Sequence, residues 1–405
     1  MKQARTQFVR IALAAAVAAV LAPSARADAI TDWNVQSGEV IAASKLGTPP
    51  AVRVMAIVQT AAYEAAKATS RGPAMDAAIA AAHHATLAKL IPSQQAMVDA
   101  AYQAAIAGIP EGTEKSTGIA AGQRAATTVL AERASDTIAP EAYRPRTTAG
   151  TYIPTAPAAA PQWGARKPWL MTSPAQFRPA PPPALESATW AREYNEVKSL
   201  GGKTSTTRTP EQAAIAQFWE FSLPSIYHGV VRSVADMPGR DTVRNARLFA
   251  AVAQAMDDAM IGVFEAKYHY NFWRPSTAIR NGDIDGNDAT EREASWTPFI
   301  DAPMHPEYPS GHSILAGVVG SVVGAEVARG PAPVLMTASP TAKGAVRRWS
   351  HVADFTDEVS AARIYAGIHY RSATEAGSAM GRQIGELAVK RMGIGSERSS
   401  LSASR

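Results

Sequence analysis

The sequence predicts an all-α fold, a large helical bundle crossed by a proline-rich but ordered connection. Alanine-rich stretches with helical spacing run from residue 51 to about 134, and strand-like alternation is scarce along the whole chain. Prolines are crowded into one window, where 11 of the 28 fall between residues 136 and 185. With 405 residues, 46% hydrophobic and 19% charged, the chain has material for one large domain or two ordinary ones.

The opening segment stands apart from the fold. "MKQARTQFVR" carries Lys2, Arg5 and Arg10 without an acid, "IALAAAVAAVLA" is a short apolar core, and "ARA" at 25–27 has small residues suited to cleavage. That order reads as a secretory signal peptide cut after Ala27, which predicts a periplasmic or secreted protein. With Arg26, the leader holds four basic residues; 40 less these four leaves 36 against 35 acids, a net of +1. The basic pI therefore owes much to the leader and points to no nucleic-acid partner. The apolar run Ile314–Val327 is too short for a bilayer, so no membrane anchor is expected after cleavage. Zero cysteine excludes disulfides, thiol catalysis and cysteine-bound metals.

Residues 28–135 form the alanine-rich region. "PPAVRVMAIVQTAAYEAAKA" opens on prolines suited to a helix start and sets Val54, Ile57, Val58 and Ala61 on one side. So much alanine suits helices packed closely together. His83 and His84 diverge by about 100° on a helix, which excludes a joint metal site and leaves them as surface or packing residues. In 136–185 the prolines forbid regular helix. Tyr143, Tyr152, Trp163, Trp169 and Phe177 favour an ordered belt over the bundle, because disordered linkers are poor in aromatics. Helical patterns resume across 186–392, and the small, polar 393–405 is expected to fray.

Three stretches in this last region carry chemistry. In "KYHYNFWRPSTAIR", Lys267 and Arg274 lie two turns apart and share a face while the helix lasts, with Pro275 expected to end it at Arg274. Set among Tyr268, Tyr270, Phe272 and Trp273, two buried cations call for an anion; His269 points elsewhere. In "MHPEYPSGHS", Gly311 lets an anion approach the backbone at a helix start, Ser310 offers a hydroxyl or a cap, and His312 a titratable ring. In "SAARIYAGIHYRSATEAG", Arg363 and His369 would point about 240° apart on an unbroken helix, so a shared target demands a bend near Gly367. Together these residues offer donors all round, one nucleophilic imidazole and one acid–base imidazole, an inventory suited to a tetrahedral oxyanion.

In order and internal spacing, "KYHYNFWRP", "YPSGHS" and "ARIYAGIH" resemble the tripartite signature shared by type 2 phosphatidic acid phosphatases, bacterial acid phosphatases and vanadium-dependent haloperoxidases. "DWN", "MAIVQTAAYEAA" and "SPAQFRPAPPP" extend the likeness over the mature chain and resemble the soluble bacterial haloperoxidase-like branch. The resemblance implies vanadate, or phosphate as substrate or ligand, held by Lys267, Arg274, Ser310, the Gly311 amide and Arg363. His369 would bind the vanadium, or attack phosphorus in a phosphatase, and His312 would be the acid–base group. Lys267 would polarise bound peroxide. His305 stands where haloperoxidases carry a second histidine or an aromatic, and histidine there resembles the bromide-oxidising members. Ala362 replaces the serine that often precedes the arginine. Ala373 replaces an Asp that often orients the last histidine, so Glu375 or a backbone carbonyl would have to take its place.

The resemblance thus implies oxidation of bromide or iodide, rather than chloride, by hydrogen peroxide at His-bound vanadate. A soluble acid phosphatase hydrolysing phosphomonoesters through a phosphohistidine on His369 is the alternative. An oxyanion-binding protein without turnover is a third reading, kept open by Ala373.

Overall fold

The computed structural model describes residues 28–136, 138, 143–328 and 330–396. The leader and the last nine residues of the expected tail lie outside the described residues. Thirteen α-helices and one small sheet make up the regular structure there. They are α1 (Ala29–Ala43), α2 (Thr48–Lys67), α3 (Pro73–Leu90), α4 (Gln95–Ala107), α5 (Thr113–Arg133), α6 (Ala188–Gly201), α7 (Pro210–Phe218), α8 (Pro224–Ala235), α9 (Thr242–Tyr270), α10 (Pro275–Arg280), α11 (Gly311–Val327), α12 (Val352–Tyr365) and α13 (Arg371–Met392). Strands β1 (Leu335–Ser339) and β2 (Ala345–Trp349) form an antiparallel hairpin that pairs Leu335 with Trp349 and Ser339 with Ala345. The hairpin is the one departure from the all-helical expectation. Only alternate residues of β1 are buried, and five residues are too few for the period to stand out.

α9 is the axis of the bundle. From Leu248 to Ile261 every residue is buried, so this helix is apolar nearly all round and needs neighbours on every side. α2, α8, α11 and α13 supply them. The alanine-rich helices close up as their composition predicts: Ala78 and Ala82 of α3, Ala61 and Ala65 of α2 and Ala121 of α5 share one core cluster. His83 is buried and stacks on Trp33, with burial lowering its pKa to about 4. His84 meets Asp99 at 2.7 Å and stacks on Tyr102.

Two acids in the middle of α9 anchor the proline-rich connection. Asp258 accepts the backbone N–H groups of Trp169 (2.6 Å), Leu170 (2.8 Å) and Met171 (2.7 Å). Its neighbour Asp257 accepts from Trp169 Nε1 at 2.7 Å and from Arg53 of α2 at 2.8 Å, and Arg53 also pairs with Asp136. Further along, the Arg178 guanidinium pairs with Glu265, and Tyr268 Oη donates to the Ala159 carbonyl. A segment without regular structure is thus ordered by giving its backbone donors to buried carboxylates.

Asp258→Ala leaves three buried amides without acceptors, each costing about 1–3 kcal/mol. The variant is expected to melt at lower temperature and to be cut by protease within 143–185 before the helices are lost. Unchanged proteolysis there would contradict this anchoring.

Candidate oxyanion site

The three chemical stretches meet in one hollow, each delivered by a chain break. α9 carries Lys267 in its last turn and ends at Tyr270, four residues earlier than the sequence suggests. Asn271 adopts a left-handed conformation (φ 51°) and returns its N–H to Lys267 O at 2.8 Å. Pro275 does not end this helix; it sits in the first turn of α10, with Arg274 as the extended residue before it. Lys267 and Arg274 therefore share a target through a turn, not through a helical face. His269 is exposed and packs on Tyr270.

At the second stretch, Ser310 is the N-cap of α11, its Oγ accepting from Ser313 N (3.4 Å) and Ser313 Oγ (3.1 Å). Gly311 and His312 follow at the positive end of the helix dipole and line the hollow. At the third, α12 closes at Tyr365 just after Arg363. Gly367 takes φ +78°, and a Cβ there would lie 2.2 Å from the Gly201 carbonyl, so only glycine makes this turn. The turn brings His369 back beside Arg363, as a shared target requires.

Cations are locked from both sides. Lys267, fully buried, donates to the carbonyls of Pro306 (3.0 Å), Glu307 (2.9 Å) and Pro309 (2.5 Å). All three ammonium protons are therefore taken by the chain. The expectation that Lys267 polarises a bound group directly is qualified: it ties the 306–309 loop to α9 and must release a carbonyl to donate elsewhere. Arg274 reaches His305 O (3.0 Å), Ile368 O (2.8 Å) and His305 Nδ1 (2.9 Å), and its Nη1 lies 3.3 Å from His369 Nε2. Arg363 donates to Trp219 O, while its Nε has no protein partner. Burial lowers the Lys267 pKa well below its usual range and brings Arg274 and Arg363 to about 10.

One buried carboxyl belongs to the site, and sequence reasoning missed it. Glu307 Oε1 meets His369 Nδ1 at 2.8 Å and accepts the Tyr370 N–H at 3.0 Å. Because Oε1 already receives a main-chain N–H, a carboxyl proton belongs on Oε2, which has no partner. Nδ1 is then the protonated nitrogen of His369 in either state of Glu307, and Nε2 keeps its lone pair beside the Arg274 donor. Desolvation raises Glu307 to about 8, against the pull of Arg274 and Lys267. This corrects the expectation for the missing Asp: Glu375 is exposed, and Ala373 gives its carbonyl to Ser310 N at 2.9 Å. Glu307 lies inside the quoted motif, three residues before Ser310, but its partner is 62 positions away.

The remaining imidazoles are also held neutral. Burial and the nearby cations lower His305, His312 and His369 well below the usual range. The backbone carbonyls of Trp219 and Phe221 flank the His312 ring, whose Nε2 has no protein partner. His305 leans on Phe264, ring centroids 5.2 Å apart.

A cavity of about 250 Å³ opens onto these groups. Lys267, His305, Gly311, His312, Arg363 and His369 line its inner wall; Arg274 and Ser310 stand behind it. The start of α2 and segments no motif announced supply the rest of the wall, among them Thr48, Ala159 and Ser222, with Thr48 Oγ1 meeting Ser222 Oγ at 2.6 Å; Met304, the first residue of the MHPEYPSGHS stretch, joins them. The donor set fits a tetrahedral oxyanion: the partnerless His312 Nε2 and Arg363 Nε belong to wall residues, and a Cβ on Gly311 would meet nothing within 4 Å. A bare metal ion has no such home, because no group of three or more His, Asp or Glu among the described residues could hold one.

Comparison with known proteins agrees with this geometry. Residues 247–394 match the family described as the VCPO second helical-bundle domain. The chain is 30% identical over 196 residues to a vanadium chloroperoxidase from Curvularia inaequalis, a match covering 40% of this chain and 32% of that protein. The chain thus spans about a third of the length of that relative. Among solved structures it is similar to the first bacterial vanadium-dependent iodoperoxidase, with TM-score 0.78 and 25% identity over 89% of this chain and 95% of the other. A holo-type bacterial vanadium-dependent chloroperoxidase shares the fold, with TM-score 0.69 and 18% identity over 86% of this chain and 93% of that one.

If Glu307 orients His369, removing it loosens the guest. Glu307→Ala is expected to weaken orthovanadate binding about 10–100-fold, as loss of such a partner typically does, whereas Glu307→Gln retains an acceptor and loses much less. Equilibrium dialysis against orthovanadate and phosphate measures both; equal affinities in wild type and Glu307→Ala would contradict the assignment.

Proposed function

We propose that the chain belongs to the haloperoxidase-like branch of the superfamily that joins type 2 phosphatidic acid phosphatases to vanadium-dependent haloperoxidases, and that it oxidises bromide or iodide with hydrogen peroxide. The observation that carries this reading is the Nε2 of His369, its ring held by Glu307 so that the lone pair lies beside the Arg274 donor in a hollow walled by cations and by the Gly311 amide. Vanadate bound there supplies the Lewis acidity that activates peroxide toward a halide.

The protein's own groups have separable tasks. His369 Nε2 would offer its lone pair to the vanadium atom of bound vanadate, with Glu307 fixing the ring. Arg363, Arg274 and the start of α11 balance the negative charge of the oxygens, and the low-dielectric surroundings strengthen each contact. His312 is the proton acceptor for incoming peroxide. Burial, Arg363 and Lys267 hold it neutral, the state that receives a proton. His305 lines the cavity with its Nδ1 between the Arg274 guanidinium (2.9 Å) and the Pro306 carbonyl (3.1 Å). Histidine at this place resembles the bromide-oxidising members, and this likeness supports bromide or iodide over chloride.

Orthovanadate-loaded protein is expected to oxidise iodide and bromide faster than chloride in the presence of peroxide, and to lose the activity on vanadate removal or in His369→Ala. His312→Ala should reduce the rate about 10²–10⁴-fold, the usual span for a lost acid–base group. Hydrolysis of p-nitrophenyl phosphate that depends on His369, with no vanadate-dependent halide oxidation, would overturn the proposal in favour of the phosphatase.

A further inference from the structure

Two methionines line the chamber in which an oxidant would be made. Met260 of α9 and Met304, the residue before His305, both line the cavity that holds His312, Lys267 and His369. Met260 is 2% exposed, so its sulfur is shielded by the helices around it. Met304 is half-buried and lines the same cavity next to His305. Met304 is also a latch. Thr155 Oγ1 donates to its Sδ at 3.4 Å, and Ala159 N donates to its carbonyl at 2.6 Å. Ala159 and Ala160 themselves line the cavity, so the proline-rich connection is fastened over the chamber at this residue.

Resting on the halide-oxidation reading, we infer that Met304 is a self-modification site, its thioether converted to the sulfoxide by hypohalous acid leaving the cage. The halide reaction consumes a halide ion, peroxide and a proton and yields hypohalous acid and water. The sulfur then gives two electrons to the halogen, acquires an oxygen atom, and releases the halide ion and a proton. Summed, thioether and peroxide become sulfoxide and water, with the halide returned. Soft, polarisable sulfur is the group in this wall most susceptible to such an oxidant. Proximity decides which methionine reacts: one product molecule within 250 Å³ is at a local concentration of order several molar, far above anything it reaches in bulk. The sulfoxide places a polar oxygen where Thr155 now meets sulfur. An apolar patch of the wall becomes polar, and the latch on residues 155–160 is rebuilt around a stronger acceptor.

Met336 provides the internal control. It is 39% exposed on β1 and does not line the cavity. The full chain, loaded with orthovanadate, is given peroxide and bromide; a second sample receives peroxide and bromide without vanadate, and a third receives hypobromous acid added to the bulk. Free hypobromite is followed in the first by a dye, and oxygen gain at each methionine by peptide mass mapping. In the first sample Met304 is expected to oxidise at least about tenfold faster than Met336, reflecting the confined local concentration, and in the third Met336 leads. Met304→Leu in the first sample should leave Met336 slow and make Met260 the leading site. Hypobromite production with Met336 oxidised as fast as Met304 would overturn the inference while leaving the halide reaction standing. Absence of hypobromite would overturn that reading and this inference with it.

Discussion

Three fixed cations are buried around one carboxyl, and every other feature of the site answers to that imbalance. Lys267, Arg274 and Arg363 are each 2% exposed or less. Taking such charges out of water costs several kcal/mol apiece unless hydrogen bonds and opposite charge offset it. The protein supplies the hydrogen bonds: three carbonyls for Lys267, carbonyls of 305 and 368 for Arg274, the 219 carbonyl for Arg363. It supplies little opposite charge, since Glu307 is pushed upward by its own burial. An oxyanion would complete the balance, and the same burial and cations that call for it lower the three histidines.

The bundle serves this arrangement by keeping it dry and by breaking helices at chosen places. α9 ends at Asn271, α11 begins at Ser310 and α12 ends before Gly367, and each break faces the same hollow. α13 presses Gly377 against the start of α11, where a Cβ would lie 2.6 Å from the Ser310 carbonyl. The carboxylate that orients His369 shows how such a site tolerates sequence change. Ala373 offers none, but the motif loop brings Glu307 to the other side of the ring, so the same hydrogen bond is made from a different strand of the chain. The geometry keeps the imidazole aligned, which removes the reason for treating the site as a binding pocket without chemistry.

Much of this was legible in the residues. The helical class followed from alanine spacing, and the belt from aromatics among the prolines. The bend at Gly367 followed from the demand that Arg363 and His369 face one target. Helix limits were harder to read: asparagine is, after glycine, the residue most at home in a left-handed helix end, and that signal at Asn271, not Pro275, marks the end of α9. Contacts across long separations were beyond reading altogether. Glu307 to His369, Trp219 to Arg363 and the wall at Thr48 and Met304 join segments with no shared period or spacing. Lys267 belongs in this group too, since its commitment to three carbonyls depends on where the 306–309 loop lies.

The most direct test is a crystal structure of the protein soaked with orthovanadate. The account predicts vanadium density bonded to His369 Nε2, with its oxygens facing the Gly311 amide, Arg363 and His312, and with Glu307 still on Nδ1. Vanadate bound elsewhere, or a His369 ring turned so that Nε2 faces Glu307, would contradict it.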